Sequence, residues 1–243
     1  MNIMSRKRYW KPIKQNVDYI SSLIKDGAKV LEIGPGQEPF TKATEFCGWT
    51  DEEQTRLGKY KIADASSEML PYKNKEFDFV YCRHVIEDLW NPINALKEIS
   101  RISKEGYIET PSPLCELSKD VDGVLDAPWR GYAHHRYIVW NDSNVLNILP
   151  KFPIVEYINL GGEKIDQTLT HPFAWCTFFH FKNEIQYKLH EMGRERDFSF
   201  LDDSYTKVIT NAINAGLKNS NQQLQKVSHF IDVFKKKDKN VDL

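Results

Sequence analysis

Residues 29–40 read KVLEIGPGQEPF, and the turn from Glu32 to Gly36 decides the fold. An apolar run stopped by glycines predicts a buried strand of the parallel-sheet type. Gly34 and Gly36 stand where the backbone must turn tightly and approach a ligand closely. Open α/β sheets bind ligands at the carboxyl ends of their strands, and this turn lies at such an end. Gly-Pro-Gly alone also suits a plain turn. Glu32 changes that balance, because a carboxylate at a buried strand end is costly unless donors or a cation meet it. An ammonium ligand supplies both.

Working outward, KQNVDYISSLIKDG (14–27) carries Val17, Ile20, Ser21 and Ile24 at helical spacing and predicts a helix ended by Gly27. KYKIAD (59–64), FDFVYCRHV (77–85) and KEGYIETPSP (104–113) read as strands, and NPINALKEISRIS (91–103) as an amphipathic helix between the last two. Strands separated by helical stretches predict βαβ units in a doubly wound sheet. Beyond residue 112 the pattern changes. PWRGYAHHRYIVW and HPFAWCTFFHFKNEIQYKLHE concentrate aromatics and histidines, and FAWCTFFHF with EIQYKLH reads as a hairpin around Lys182-Asn183. Residues 203–237 predict a polar C-terminal helix fraying into KKKDKN.

Composition narrows the function. The 243 residues hold 33 Lys+Arg against 34 Asp+Glu, a formal charge of −1, so no global field recruits nucleic acid or an anionic membrane. Hydrophobic residues at 41% argue against disorder, and no apolar run is long enough to span a bilayer. The basic start MNIMSRKRYWKPIK lacks the apolar core of a secretory signal. Cys47, Cys82, Cys115 and Cys176 are widely spaced, which fits reduced thiols in a cytoplasmic protein and not a zinc site. Asp120, Asp122 and Asp126 lack the spacing of a calcium loop and read as a solvated acidic segment, so no metal site is expected.

VLEIGPG is similar to the first motif of class I S-adenosylmethionine-dependent methyltransferases. The stretch IADASSEMLPYKNKEFDFVYCRHVIEDLWNPINALKEISRISKEGYIETPSP then follows that family's order: acidic-Ala adenine loop, LP[FY], FD-x-V strand, H-V-[IL]-E helix start, post-helix strand. A dinucleotide-binding turn would place glycine where Pro39 stands. The resemblance is nearest to the type 11 group, which includes members linked to surface-glycan biosynthesis. It implies an α/β, Rossmann-like doubly wound, mostly parallel sheet forming one domain. Residues 28–115 would be the cofactor core, 116–200 an acceptor-binding elaboration, and 203–237 a C-terminal helix. It implies S-adenosyl-L-methionine as cofactor and S-adenosyl-L-homocysteine as product. Glu32, Gly34, Pro35 and Gly36 would line the methionine half, Asp64 and Ala65 would meet the adenine, and Cys82 and Arg83 would lie beneath the sulfonium. The family's ribose-binding acid is replaced here by Gly48 or Trp49, with Asp51 or Glu45 as substitutes.

Methyl transfer is an in-line displacement, and a hydroxyl acceptor also needs a base. Histidine suits that role near neutral pH. His84, at a strand end with Glu87 one turn on, and His135 are the candidates; packing over the cofactor is the plainer use of His84. In an extended YAHHRY segment His134 and His135 would point to opposite sides, so one faces the cleft. His134, Trp129 and Trp175 are candidate acceptor contacts, although aromatics in a hairpin also serve as core. The expected activity is methylation of a sugar or glycan hydroxyl. Nucleic acid is disfavoured, because CRHVIEDLWNP replaces the N/D-P-P-Y/F motif of base amine methylation. The alternatives are a carboxylate, quinone or amine of another metabolite, or a non-catalytic cofactor-binding partner protein. A homodimer is left open.

Overall fold

Five parallel strands and one antiparallel strand form the central sheet of the computed structural model, in the order β3-β2-β1-β4-β5-β8. The structure describes residues 11–122, 128–158, 169, 171–191 and 204–239, without the side chains of 51, 53, 204 and 234–239; Asp126 lies outside them. The strands are β1 Val30–Ile33, β2 Glu45–Gly48, β3 Tyr60–Ile62, β4 Phe77–Arg83, β5 Ser103–Pro111, β6 Tyr137–Asp142, β7 Val145–Pro150, β8 Cys176–Lys182 and β9 Tyr187–Leu189. The helices are α1 Lys14–Leu23, α2 Asp51–Arg56, α3 Pro92–Ile102, α4 Pro113–Leu117 and α5 Ser204–Lys239. The doubly wound, mostly parallel sheet with a C-terminal helix is therefore present. Among the described residues no helix is long and apolar enough to cross a membrane.

Alternation along the strands sends side chains to two cores. On β4, Val80 and Cys82 join Leu31, Ile99, Ile148 and Phe179 under α3 and a small β6-β7-β9 sheet. Phe79 and Tyr81 face the other way, against Ile20 of α1 and Val227 of α5.

Three expectations need correction. Residues 34–44 and 63–76 cross between strands without a helix, because Pro35, Pro39 and the glycines of the first stretch cannot sustain one. The HVIED segment is a turn; α3 begins only at Pro92, where the Asn91 side chain accepts from the Asn94 N–H at 3.2 Å and proline suits the first helical position. Lys182-Asn183 does turn the chain, with Asn183 at φ 65°, but no hairpin results. The apolar strand β8 takes the open edge of β5 over seven residues, while β9 pairs in parallel with β7 in the other sheet. The expected C-terminal helix is present as α5, which runs to Lys239.

Candidate active site

The strand order reverses at β1 and β4, and the loops leaving these two neighbours form the rim of a bipartite cleft. Gly34 (φ 67°) and Gly36 (φ 51°) hold the first loop in the left-handed region, where L side chains are strained. A Cβ on Gly34 would run into the Val85 side chain from the second loop. Arg56 donates to the Gly36 and Gln37 carbonyls and pins the turn from α2.

Two cavities meet at this turn. The first, about 400 Å³, is lined by Gly34, Gly36, Gly48, Trp49, Asp64, Ala65, Ser66 and Arg136, among others. The second, about 350 Å³, is lined by Glu32, Pro35, Arg83, Tyr132, His134 and His135. Gly34, Gly36, His84 and Asp88 belong to both.

In the first cavity, Asp64 shapes its own loop, accepting from the Ser66 N–H and the Ser67 hydroxyl, each at 2.8 Å. Asn94 of α3 donates to the Ala65 carbonyl at 2.9 Å and fixes the loop over β4. The buried Ser66 Oγ has no hydrogen-bond partner among the described residues, a polar atom that a bound ligand would satisfy. Glu45 is at the far end of β2, paired with Lys29 at 3.1 Å, and is no ribose ligand; Gly48 and the exposed Trp49 stand there instead.

In the second cavity, the buried Glu32 carboxylate accepts the Phe40 N–H at 2.8 Å, which answers the cost of its position. Arg83 pairs with the buried Glu109 at 2.9 Å, so the guanidinium enters the cavity already neutralised. Glu109 also accepts from Tyr107 Oη at 2.5 Å and from Asn16 Nδ2 at 3.2 Å. Gln223 of α5 donates to Asn16 Oδ1 at 2.7 Å, which ties both outer helices to the strand behind the site.

His84 sits at φ 52°, a strained conformation for a non-glycine residue, with its N–H given to the Glu109 carbonyl at 2.8 Å. Its Nδ1 is 3.2 Å from Glu87 Oε1. Burial pushes the imidazole down to about 3, and the Arg83 charge acts the same way. Burial likewise raises Glu87 to about 7. Burial, and then the charge of Glu87, raises Asp88 to about 6. His135 is the opposite case. Burial alone would lower it, but the hydrogen bond and charge of Glu116, with Glu87 and Asp88, raise it. Its Nδ1 lies 2.5 Å from Glu116 Oε1, and Lys151 Nζ reaches Glu116 Oε2 at 2.9 Å.

His84 lies far below the range of a base for neutral pH, and His135 has its Nδ1 side committed to Glu116, so the expected histidine general base has no support here. Sequence reasoning missed Asp88, Glu116 and Lys151; the first sits in a motif read for its neighbours, and the other two meet His135 only in the fold.

The remaining candidates separate. Both His134 and His135 line the cavity, because residues 131–135 turn (His135 N–H to Tyr132 O, 3.3 Å) instead of extending. Cys82 is fully buried in the core and lines neither cavity. Trp175 is packed with Phe173 and Phe178 in the core, as Trp140 and Phe179 are in theirs. Trp129 donates to Asp122 Oδ2 at 3.0 Å and lines neither cavity. Trp175 belongs to the framework.

A glycine turn at the switch point, an acid at the end of β1 and an acidic-Ala loop beside it define a cofactor-binding α/β protein. Residues 4–142 match the methyltransferase domain family, and the chain belongs to it. The cofactor that goes with this domain is S-adenosyl-L-methionine, and the donor set fits: carboxylates at each end, glycines between, and an unsatisfied hydroxyl in the first cavity. No curated protein matches the chain. Solved structures similar to it include an S-adenosylmethionine-dependent methyltransferase from Mesorhizobium loti (15% identity, 42% of this chain and 55% of that one, TM-score 0.35). Another is a methyltransferase from Thermotoga maritima (19% identity, 49% and 63%, TM-score 0.37). A third is from Aquifex aeolicus (16% identity, 46% and 74%, TM-score 0.31). The chain spans about half the length of the first structures it matches, 44% to 55% of each.

Proposed function

We propose that this protein transfers a methyl group from S-adenosyl-L-methionine to a hydroxyl of a sugar or glycan intermediate. The observation that carries this reading is the meeting of two cavities at Gly34, Gly36, His84 and Asp88. Asp64, Ala65 and Ser66 would hold the adenosine, and Glu32 would take the methionine ammonium. The reacting carbon would then stand near the shared rim, facing the space beside Tyr132, His134 and His135.

Alignment at that rim supplies most of the acceleration in an in-line displacement, up to about 7–11 kcal/mol in favourable systems. The acceptor side suits a polyhydroxylated molecule, because Gln37, Glu38, Arg83, Asp88 and His134 line it with donors and acceptors beside the Tyr132 ring. His84 is neutral there and packs over the cofactor, and the proton of a hydroxyl acceptor would leave to solvent through the open mouth beside the exposed His134. The chain, incubated with the cofactor and a panel of candidate acceptors with sugars first, should yield a product heavier by one methylene in mass spectrometry. Methylation of carboxylates or amines alone would replace the acceptor class, and no transfer to any acceptor would leave a cofactor-binding partner protein.

A further inference from the structure

We propose that Asp88, His134 and His135 form a binding site for a divalent transition-metal ion of the zinc or ferrous type. The site opens into the cavity that the proposed function gives to the acceptor, and its role rests on that reading. The ligand atoms of the three residues all lie within 4.8 Å of one another. Asp88 Oδ1 stands 3.8 Å from the Nε2 atoms of both histidines. Donors bound tetrahedrally at about 2.1 Å stand ~3.4 Å apart, so the two Asp88–histidine distances need to shorten by only a few tenths of an ångström around an ion.

Three further observations point to a ligand. Asp88 Oδ1 is buried and has no hydrogen-bond partner among the described residues, although its carboxyl faces two imidazoles. His135 directs Nδ1 at the buried Glu116 carboxylate, which leaves Nε2 for the cavity. That carboxylate–histidine arrangement fixes ring orientation and tautomer in metal sites, and Lys151 holds Glu116 from the other side. Tyr132 stacks on the His135 ring with centroids 4.7 Å apart and meets His134 edge-on at 5.9 Å, while its hydroxyl is anchored on the Val121 carbonyl at 2.9 Å. The rings are therefore held in place, and the exposed His134 leaves a path for the ion.

Two imidazole nitrogens and one carboxylate oxygen suit zinc or ferrous iron better than magnesium, which prefers oxygen ligands. Three protein ligands leave at least one position open. An acceptor hydroxyl bound there would give up its proton to solvent more readily, as metal-bound water does. Its oxygen would then form the new bond to the methyl carbon as the carbon–sulfur bond breaks, with S-adenosyl-L-homocysteine leaving.

The test titrates chelator-treated full-length protein with Zn²⁺ by calorimetry and with Co²⁺ by visible absorption, each with and without S-adenosyl-L-methionine. One ion per chain should bind, with a ligand-field band for Co²⁺ that reports nitrogen and oxygen donors. His134→Ala removes an exposed side chain, and Asp88→Asn keeps its shape; each should weaken binding at least tenfold at unchanged melting temperature. Absence of saturable binding, or equal affinity in both variants, would overturn the site. Cofactor binding measured in the same samples separates the two readings: loss of cofactor binding alone would remove the methyl-transfer reading and leave the ion in place.

Discussion

His84 and His135 line the same cavity, yet their surroundings shift their proton affinities in opposite directions. His84, at the end of β4, meets a buried carboxyl that is itself pushed up to about 7, so the pair is a contact between groups that burial keeps near neutrality. His135, on the turn before β6, meets a carboxylate held ionised by Lys151 and by the histidine itself. On one side burial alone dominates the His84–Glu87 contact; on the other a buried hydrogen-bonded chain runs from Lys151 through Glu116 to His135. Residue type is the same on both sides. The neighbours decide, which is why the family motif on β4 gives no hint of the difference.

The largest effect should come from the charged side. Glu116→Ala leaves Lys151 and His135 buried without their anion and should cost about 3–5 kcal/mol in denaturant unfolding. Glu116→Gln keeps the hydrogen-bonding shape and should cost less; equal small losses in both would erase the distinction between the two sides.

On the cofactor side, Asp64→Ala should weaken S-adenosyl-L-methionine binding by about 1–3 kcal/mol, read by calorimetry, because the loop over Ala65 loses its own acceptor as well as the adenine's.

The neutral side can be probed through backbone strain. At φ 52°, His84→Gly should be more stable than His84→Ala by about 1 kcal/mol, since glycine carries no penalty in that region. A more stable alanine variant would mean the segment relaxes and the strain is absent.

Titration gives the subtlest effect. Folding raises Glu87 from 4.5 to about 7, so the native state keeps a proton that the unfolded chain releases. Its contribution is full below pH 4.5 and is lost as pH rises through 7. His84 falls from 6.5 to about 3, so its contribution is full above pH 6.5 and is lost as pH falls toward 3. Between these limits the two slopes oppose each other. Glu87→Gln removes one of them, and its melting temperature should then decline on acidification already below pH 6.5, where the wild type stays level.

The sequence makes the cofactor side legible because its signals are local. Lys29–Gly36 dictates a strand and a turn within eight residues, and Asp64-Ala65 shapes its own loop. The acceptor side depends on distant partners. His135 is shifted by Glu116, 19 positions away, which Lys151, 16 positions away on the other side, holds in place, and both histidines enter the cavity because the chain turns at Tyr132. The failed hairpin has the same origin: β8 has a longer apolar partner in β5 than β9 offers, and local turn chemistry at Asn183 does not outweigh that ladder. Trp175 illustrates the limit of composition, since an aromatic cluster reads alike whether it lines a site or fills a core.

The central claim is that the Gly34–Gly36 turn between the two cavities holds S-adenosyl-L-methionine. Calorimetric titration of the cofactor into the wild type and Gly34→Val, with melting temperatures recorded on both, tests it directly. Saturable binding is expected at one cofactor per chain, lost in a Gly34→Val protein that still melts cooperatively, because the added side chain strikes Val85 and distorts the turn. Absence of binding in the wild type, or unchanged affinity in the folded variant, would contradict it.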